Sequence, residues 1–569
     1  MIVKYQVITK LVLGVWLYLL GRLFRVLLNS TGRVAVSTGD FTFLFGTWQG
    51  VLIILIALVS LFVYIALDLN TKIFMSYNLL TGKAVSIWNS ISKALEGVLR
   101  FFNLKGILVC LYLVLIAPIL GIGFSISLTK GFYIPTFISS VIASTPLYLV
   151  LTIIAVFLFL SLGIANIFII HGVVLDKMPI DEASRQSRTL IHKNWKDYLK
   201  QNILFILVMS AVILLVAAVV LGIPLFLVDV IQMSDSLKRM LNVFFVLNGI
   251  ILSGATDLLS TPFYTMKLTQ LYYEYKTGEP IHYQEHPFKL NAIDKYGIIG
   301  LAAVVLIGTV FLNNHFDDIF PLDPGVRIIA HRAGGAEGAE NTVSGMETAW
   351  ELGAYGSEID IQRTKDGYYI LNHDGNFKRV AGDSRKPEEM TLEEIRQLSV
   401  DGYPIPTYEE MLDACKGKVI LFTELKGETA DIQMADDAVK IVKERGMEEE
   451  VVFISLKYDL IDYIETNYPE MQTGFLTFAS FGDTEKLNCD YIGPEEESAT
   501  ADAIDTIHSQ GKKVLVWTAN KRNSQRHFLC SHADGLITDN VKQANDVLYE
   551  IRNRSDLSRM LDKAKELFS

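Results

Sequence analysis

Cysteine is scarce in this chain of 569 residues: Cys110, Cys415, Cys489 and Cys530 are all it has. None forms a Cys-X-X-Cys pair or a zinc-ligand spacing, and Cys110 lies inside an apolar run, which excludes a disulfide-built scaffold and a structural zinc site. Clustered Lys and Arg are missing from the C-terminal half. Binding a polyanion needs such clusters to replace its counterions, so nucleic acid is not a partner. No small-residue cleavage site follows the first apolar stretch, so the N-terminus reads as a retained anchor and not as a removed signal peptide.

What the chain has in abundance is apolar residues, at 51%, with a positive mean hydropathy. That exceeds an ordinary soluble composition. Before residue 320 there are 23 Lys+Arg against 16 Asp+Glu, a net +7, and after it 28 against 46, a net −18. The change of sign and hydropathy at one point implies two domains in different solvents, a basic membrane part over 1–320 and an acidic water-soluble part over 326–569, joined near Asn313 to Pro324.

About 20 apolar residues in a helix span the hydrocarbon core. Seven stretches qualify: Leu11 to Leu28, Leu44 to Leu67, Gly106 to Leu128, Leu147 to Ile170, Ile203 to Val228, Leu241 to Leu259 and Tyr296 to Leu312. The first contains Arg22 and Arg25, so it either spans with those side chains snorkelling or lies on the surface. The connections alternate in charge: 68–105, 172–202 and 263–295 hold fifteen Lys or Arg, whereas 29–43, 129–146 and 229–240 hold four. The positive-inside rule puts the basic set in the cytoplasm and the chain after the last span outside the cell membrane. Ser86 to Phe102 and Glu182 to Leu199 read as interfacial helices with Trp88 and Trp195 at the headgroups. His282 and His286 sit between Pro280 and Pro287, which break the helix a metal pair would need.

From Val326 short β-branched runs alternate with helical stretches, the pattern of repeated β-α units. Strands are predicted at Val326 to Ala330, Gly356 to Ile361, Tyr368 to Asn372, Val419 to Glu424, Val451 to Ser455, Gln472 to Leu476, Tyr491 to Gly493, Lys513 to Thr518 and Gly535 to Thr538. Their number and the remaining length fit one (β/α)8 TIM barrel. No Gly-X-Gly-X-X-Gly follows the first strand, which counts against a doubly wound dinucleotide-binding sheet.

Polar residues gather at predicted strand ends, where such barrels place their chemistry. Glu358 and Asp360, two apart on a strand, point to one face. With Glu424 they offer an all-oxygen site for a hard divalent cation, Mg²⁺ or Ca²⁺, although alternating acids can also mark a solvated edge strand. His331 and His373 each follow a strand directly. They suit a general acid and a general base, with metal ligation or a satisfied core histidine as the plainer alternatives. Arg332 and Lys426 add the positive charge that a phosphate requires.

The ordered set Ala330-His331-Arg332, Glu340-Asn341-Thr342, Glu358-Ile359-Asp360, His373-Asp374, Ile405-Pro406-Thr407 with Glu409-Glu410, Glu424-Leu425-Lys426, Trp517-Thr518-Ala519-Asn520 and Asp534 to Asp539 resembles the glycerophosphodiester phosphodiesterase family. The hydrophobic half resembles the membrane domain that some bacterial members carry ahead of the barrel. The resemblance implies His331 and His373 as the acid/base pair, Glu358, Asp360 and Glu424 as metal ligands, Glu340 as a further candidate for the metal shell, Arg332 and Lys426 on the phosphate, and Trp517 lining the substrate pocket. It implies cleavage of a glycerophosphodiester to glycerol phosphate and an alcohol, with lysophospholipid or polyglycerol phosphate as further substrates at the membrane lipid surface. This chain has Ala333 and Ala339 where the family commonly has Gly and Pro, and Gly334, Gly335, Glu337 and Gly338 in the first loop, which leaves head-group selectivity open. A phospholipase D-like lyase giving a cyclic phosphate and a non-catalytic lipid-binding or transport protein are the competing readings. Against transport, the spans hold few ionisable groups.

Overall fold

The computed structural model describes residues 2–31, 35–37, 45–101, 103–109, 142, 144–281, 292–477, 480–482 and 486–568. The chain forms two compact units, Met1–Leu27 with Leu44–Asn314, and Leu28–Phe43 with His315–Ser569.

The first unit is helical: α1 (Ile2–Asn29), α2 (Trp48–Leu80), α3 (Ile87–Phe101), α4 (Pro146–Ala165), α5 (Ile169–Leu175), α6 (Ile180–Ala217), α7 (Ile223–Val230), α8 (Asp235–Thr277) and α9 (Ala292–Asn314). Among the described residues six stretches are long and apolar enough to cross a bilayer, namely α1, α2, α4 with α5, α6 with α7, α8 and α9. The sequence-read span Gly106 to Leu128 falls almost wholly outside the described residues, as do His282 and His286. The helices outrun the predicted spans, α2 reaching 33 residues and α8 43. A helix satisfies its own backbone, so it can continue past the lipid boundary wherever no residue breaks it.

Polar packing appears on these extensions. Past Leu67, Lys72 Nζ lies 2.6 Å from Asp68 Oδ2, with both side chains buried. Asn70 Nδ2 donates to the Ala94 carbonyl of α3 at 3.3 Å. Helix α3 buries Ser90, Ala94, Gly97, Val98 and Phe101, a helical stripe, and leaves Trp88 exposed. A helix thus stands where the first of the two interfacial helices was expected from the sequence. The second is not a separate element, because residues 182–199 continue into the next span within α6, with only a local departure from helical dihedrals at Asn194.

In the second unit the strands are β1 (Ala35–Ser37), β2 (Arg327–Ala330), β3 (Gly356–Arg363), β4 (Tyr369–Leu371), β5 (Ser399–Val400), β6 (Tyr403–Pro404), β7 (Ile420–Leu425), β8 (Val451–Ser455), β9 (Gln472–Thr477), β10 (Ser480–Gly482), β11 (Tyr491–Pro494), β12 (Lys513–Val516) and β13 (Gly535–Thr538). Eight parallel strands run in the order β2-β13-β12-β11-β9-β8-β7-β3, and pairing of β2 with β3 closes the ring. Strand β4 is the antiparallel hairpin partner of β3. Ile329, Phe422, Val452, Ile454, Leu476, Leu515 and Ile537 fill the interior. Larger apolar clusters sit between the strands and the surrounding helices. This is the TIM barrel expected from the alternating pattern. The strand predicted over Lys513 to Thr518 ends at Val516, with Trp517 still bridged to Glu495 through its backbone and its indole N–H donating to the Gly493 carbonyl at 2.6 Å.

Two of the motif segments are helix caps. Thr342 caps Val343–Glu351, its hydroxyl accepting from the Gly345 amide at 3.0 Å. Thr407 and Glu410 form a reciprocal capping box on Tyr408–Cys415, with Thr407 Oγ1 accepting from the Glu410 amide at 3.3 Å and Glu410 Oε2 from the Thr407 amide at 2.9 Å. Their role is to satisfy amides that a helix start leaves unpaired. Thr407→Ala should therefore lower barrel stability by about 1 kcal/mol, measured by the denaturant midpoint of the purified full-length protein, while leaving its affinity for divalent ions unchanged.

Candidate active site

The site is built where strands end. Glu358 and Asp360 on β3 share a register with Phe422 and Glu424 of the neighbouring β7, so Asp360 and Glu424 stand side by side. Oxygen atoms of Glu358, Asp360 and Glu424 all lie within 4.8 Å of one another, and all three residues are buried. Lys426, the residue just after β7, reaches back to them, its ammonium 2.8 Å from Asp360 Oδ1 and 2.9 Å from Glu424 Oε2. One lysine faces three buried acids, so negative charge is in excess. Burial and the neighbouring Asp360 push the Glu358 carboxyl up to about 8. Burial also raises Glu424, whereas at Asp360 the penalty of burial is overcome by Lys426, His373 and the Asn341 amide, which hold it low. Asn341 Nδ2 donates to Asp360 Oδ2 at 2.8 Å, and Asn341 Oδ1 accepts from the Asp360 amide at 3.1 Å.

His331 follows β2 at once. Its Nδ1 lies 2.6 Å from Asp539 Oδ1 at the end of β13, and its Nε2 is 4.0 Å from Glu358 Oε2. Burial opposes a charged ring there, but the Asp539 contact and the field of Glu358 outweigh it and raise the pKa. His373, after β4, has Nδ1 2.8 Å from Asp374 Oδ1. Its pKa is lowered by burial, with Lys426 and Arg332 adding to the effect against the pull of Asp360. Each imidazole thus has one nitrogen fixed by a carboxylate, and the two are driven in opposite directions, the pattern of a proton donor paired with a proton acceptor. Gln362 holds the His373 loop through donations to the carbonyls of Asn372 at 2.6 Å and Asp374 at 2.9 Å.

The first loop bends sharply to bring backbone and cation to the acids. Arg332 and Ala333 have φ of 51° and 71°. That turn lets the Arg332 amide donate to Glu358 Oε2 at 2.7 Å. Gly335, at φ +64°, packs directly on the Asp539 carbonyl, leaving no room for a Cβ. The Arg332 Nε is buried without a partner among the described residues. Its Nη1 is 3.4 Å from Glu340 Oε1. Glu340, expected as a candidate for the metal shell, faces Arg332 and is clamped by Arg379 at 2.6 and 2.7 Å, outside the three-carboxylate group. Arg379 also bonds Asp374 at 2.7 Å, so one guanidinium ties the His373 partner to the first loop.

The structure brings His331, Arg332, Glu358, Asp360, His373, Glu424 and Lys426 to one end of the barrel, and Trp517 lies half-buried at the end of β12. Reasoning from sequence assigned no role to Asp539, Asp374, Asn341, Arg379 or Asn520. Asn520 donates to Asp539 and accepts from its amide at 2.7 Å. Asp374 and Asn341 were next to chosen residues, but what they orient is set only by how the loops fold.

Residues 331–543 match the family described as "Glycerophosphoryl diester phosphodiesterase family", and residues 1–310, more than half the chain, match the "Membrane domain of glycerophosphoryl diester phosphodiesterase". A glycerophosphodiester phosphodiesterase of Caldanaerobacter subterraneus is 26% identical over 226 residues, covering 37% of this chain and 93% of that protein. Among solved structures, a glycerophosphodiester phosphodiesterase from Thermotoga maritima is 26% identical, covering 39% of this chain and 97% of its own at a TM-score of 0.35. An Oleispira antarctica phosphodiesterase in complex with the product sn-glycerol-3-phosphate is 22% identical, covering 39% and 96%, at a TM-score of 0.38. With both its halves matched, this chain belongs to the glycerophosphodiester phosphodiesterase family as an enzyme whose barrel follows a multi-pass membrane domain.

Proposed function

We propose that the barrel hydrolyses glycerophosphodiesters to glycerol phosphate and an alcohol with a divalent cation held by Glu358, Asp360 and Glu424, at the outer face of the membrane. The observation that carries this reading is the convergence of three buried carboxylates with two carboxylate-held histidines and a buried guanidinium nitrogen that lacks a partner. The donor set fits a hard cation: it is all oxygen, and ligands at about 2.0–2.6 Å from one ion are compatible with oxygens within 4.8 Å of each other. Its uncompensated charge also calls for one, since buried acids without a counterion are costly. A bound Mg²⁺ or Ca²⁺ would act as a Lewis acid, polarising a phosphoryl oxygen.

The chain's own residues supply the rest. Arg332 and Lys426 offer N–H donors and positive charge to the non-bridging oxygens as negative charge builds on them. His373, whose pKa is lowered, accepts a proton from the attacking water as its oxygen bonds to phosphorus, and His331, whose pKa is raised, gives a proton to the alkoxide oxygen that leaves phosphorus. Asp539 and Asp374 fix each ring in the tautomer that leaves Nε2 for the substrate. Trp517 gives an apolar wall to the glycerol part. Substrates of this class at the membrane are glycerophosphodiesters, lysophospholipid head groups and polymeric glycerol phosphate. The outer-face assignment is supported by the fifteen basic residues on one set of loops against four on the other.

The detergent-solubilised full-length protein should release glycerol phosphate from glycerophosphocholine or glycerophosphoglycerol with added Mg²⁺ or Ca²⁺ and lose that turnover on chelation; activity indifferent to chelation would defeat the metal reading. His331→Ala should lower kcat by about 10²–10⁴-fold, with its unfolding transition preserved. Asp539→Asn should lower kcat by a comparable factor with little change in KM, because it leaves His331 in place with the wrong tautomer; a fall in KM-governed binding alone would remove Asp539 from that role. Protease added to intact cells should cut the barrel free, and cleavage seen only after lysis would reverse the orientation.

A further inference from the structure

Glu340 sits between two guanidinium groups that share it unequally. Arg379 grips both of its oxygens, with Nη1 2.7 Å from Oε2 and Nη2 2.6 Å from Oε1. Arg332 approaches the same two oxygens only to 3.4 and 3.5 Å, both from Nη1. Charge-assisted N–H···O bonds close at about 2.7–2.9 Å, so Arg379 makes a bidentate pair and Arg332 a loose contact. The Arg332 Nε is buried without a partner among the described residues. One base satisfies the acid, and the other keeps its donors.

Local structure decides which base takes Glu340. Arg379 stands on a single helical turn, Lys378–Ala381, that follows Phe377. Phe377 is fully buried among Ile370, Met390, Ile395, Val400 and Ile405, which pins the base of that turn. From there the Arg379 side chain bonds Asp374, Nε to Oδ2 at 2.7 Å, and aims its two terminal nitrogens at Glu340. Arg332 is held instead by its backbone, the amide donating to Glu358 Oε2 at 2.7 Å and the carbonyl accepting from the Asn341 amide at 2.8 Å. Burial favours a neutral Glu340, but the Arg379 bonds and the charge of Arg332 hold its carboxyl below the usual range. It is an anion, and with Arg379 gone its nearest cation is Arg332. A carboxylate and a phosphodiester each present a pair of oxygens to the same fork of N–H donors, so the two compete for one guanidinium.

We infer that Arg379 is a positioning residue for substrate binding: by occupying Glu340 it leaves the Arg332 guanidinium free for the phosphate, and without it Glu340 captures Arg332 in the substrate's place. The inference rests on the proposed role of Arg332 at the phosphate. Arg379 acts on binding through Glu340, and separately on His373 through Asp374.

Two constants read the binding effect in the detergent-solubilised full-length protein with Mg²⁺ or Ca²⁺: KM for glycerophosphoglycerol, and Kd for glycerol phosphate by calorimetry. Arg379→Gln should raise both at least about tenfold, the loss expected for a hydrogen bond to a charged group, and should lower kcat because Asp374 loses its anchor. Adding Glu340→Gln should return both constants to within about twofold of wild type, the pair being coupled, while kcat stays low. A general loosening of the site would not be cured by changing a second residue. Constants unchanged in Arg379→Gln, or still raised in the double variant, overturn the inference. Arg379→Lys, whose ammonium lacks the fork, should show the same rise and the same rescue at smaller amplitude, and decides the question if Arg379→Gln does not fold. If Arg332→Gln leaves both constants at their wild-type values, the phosphate role of Arg332 falls, and this inference with it. If the wild type binds glycerol phosphate but cleaves no glycerophosphodiester, the hydrolase reading falls, and the Kd series still decides the role of Arg379.

Discussion

Three carboxylates buried within reach of one another are the constraint around which the barrel mouth is arranged. Glu358, Asp360 and Glu424 cannot all ionise in a poorly solvated place unless positive charge is brought to them. Lys426 supplies part of it, and the amides of Arg332 and Asn341 supply hydrogen bonds. The first loop takes positive φ at Arg332, Ala333 and Asn341 to deliver those donors. Backbone strain of this kind persists only where the surroundings repay it, and here the repayment is a set of charge-assisted bonds to the acids.

The same acids act on the histidines. Glu358 favours a charged His331, while Lys426 and Arg332 disfavour charge on His373 against the attraction of Asp360. One cluster of charge therefore separates two rings that are chemically identical. Asp539, Asp374 and the Arg379 clamp add orientation, so the difference between the two rings comes from fixed neighbours and not from the histidines themselves.

The membrane unit obeys a different accounting. Its spans are apolar because lipid offers no hydrogen-bond partners, and its polar contacts concentrate where helices run on beyond the predicted spans, as at Asp68 with Lys72 and at Asp176 with Lys276. The segment after the first of these helices joins the barrel unit. The domain border in space is thus not a single cut in the sequence, although the change in hydropathy and charge falls at one place, where α9 ends at Asn314.

Much of this architecture was legible from local pattern. Membrane spans show as long apolar runs because length and hydropathy alone decide whether a helix can cross lipid. The barrel strands show because β-branched runs alternate with amphipathic helices, and Glu358 and Asp360 share a face because a strand has period two. What the chain could not reveal locally depends on distant residues meeting. Asp539 reaches His331 from 208 positions away. Glu340 meets Arg332 and Arg379, the latter 39 positions away, through loop geometry. Residues 35–37 find their partner strand more than four hundred positions later. A three-residue strand has too little periodicity to be seen and no stability alone, so only its tertiary partner makes it a strand. Sequence determined that one half is apolar enough for lipid and which polar residues stand at strand ends; tertiary structure decided which of those residues face one another, because proximity across a closed barrel is not a property of any one segment.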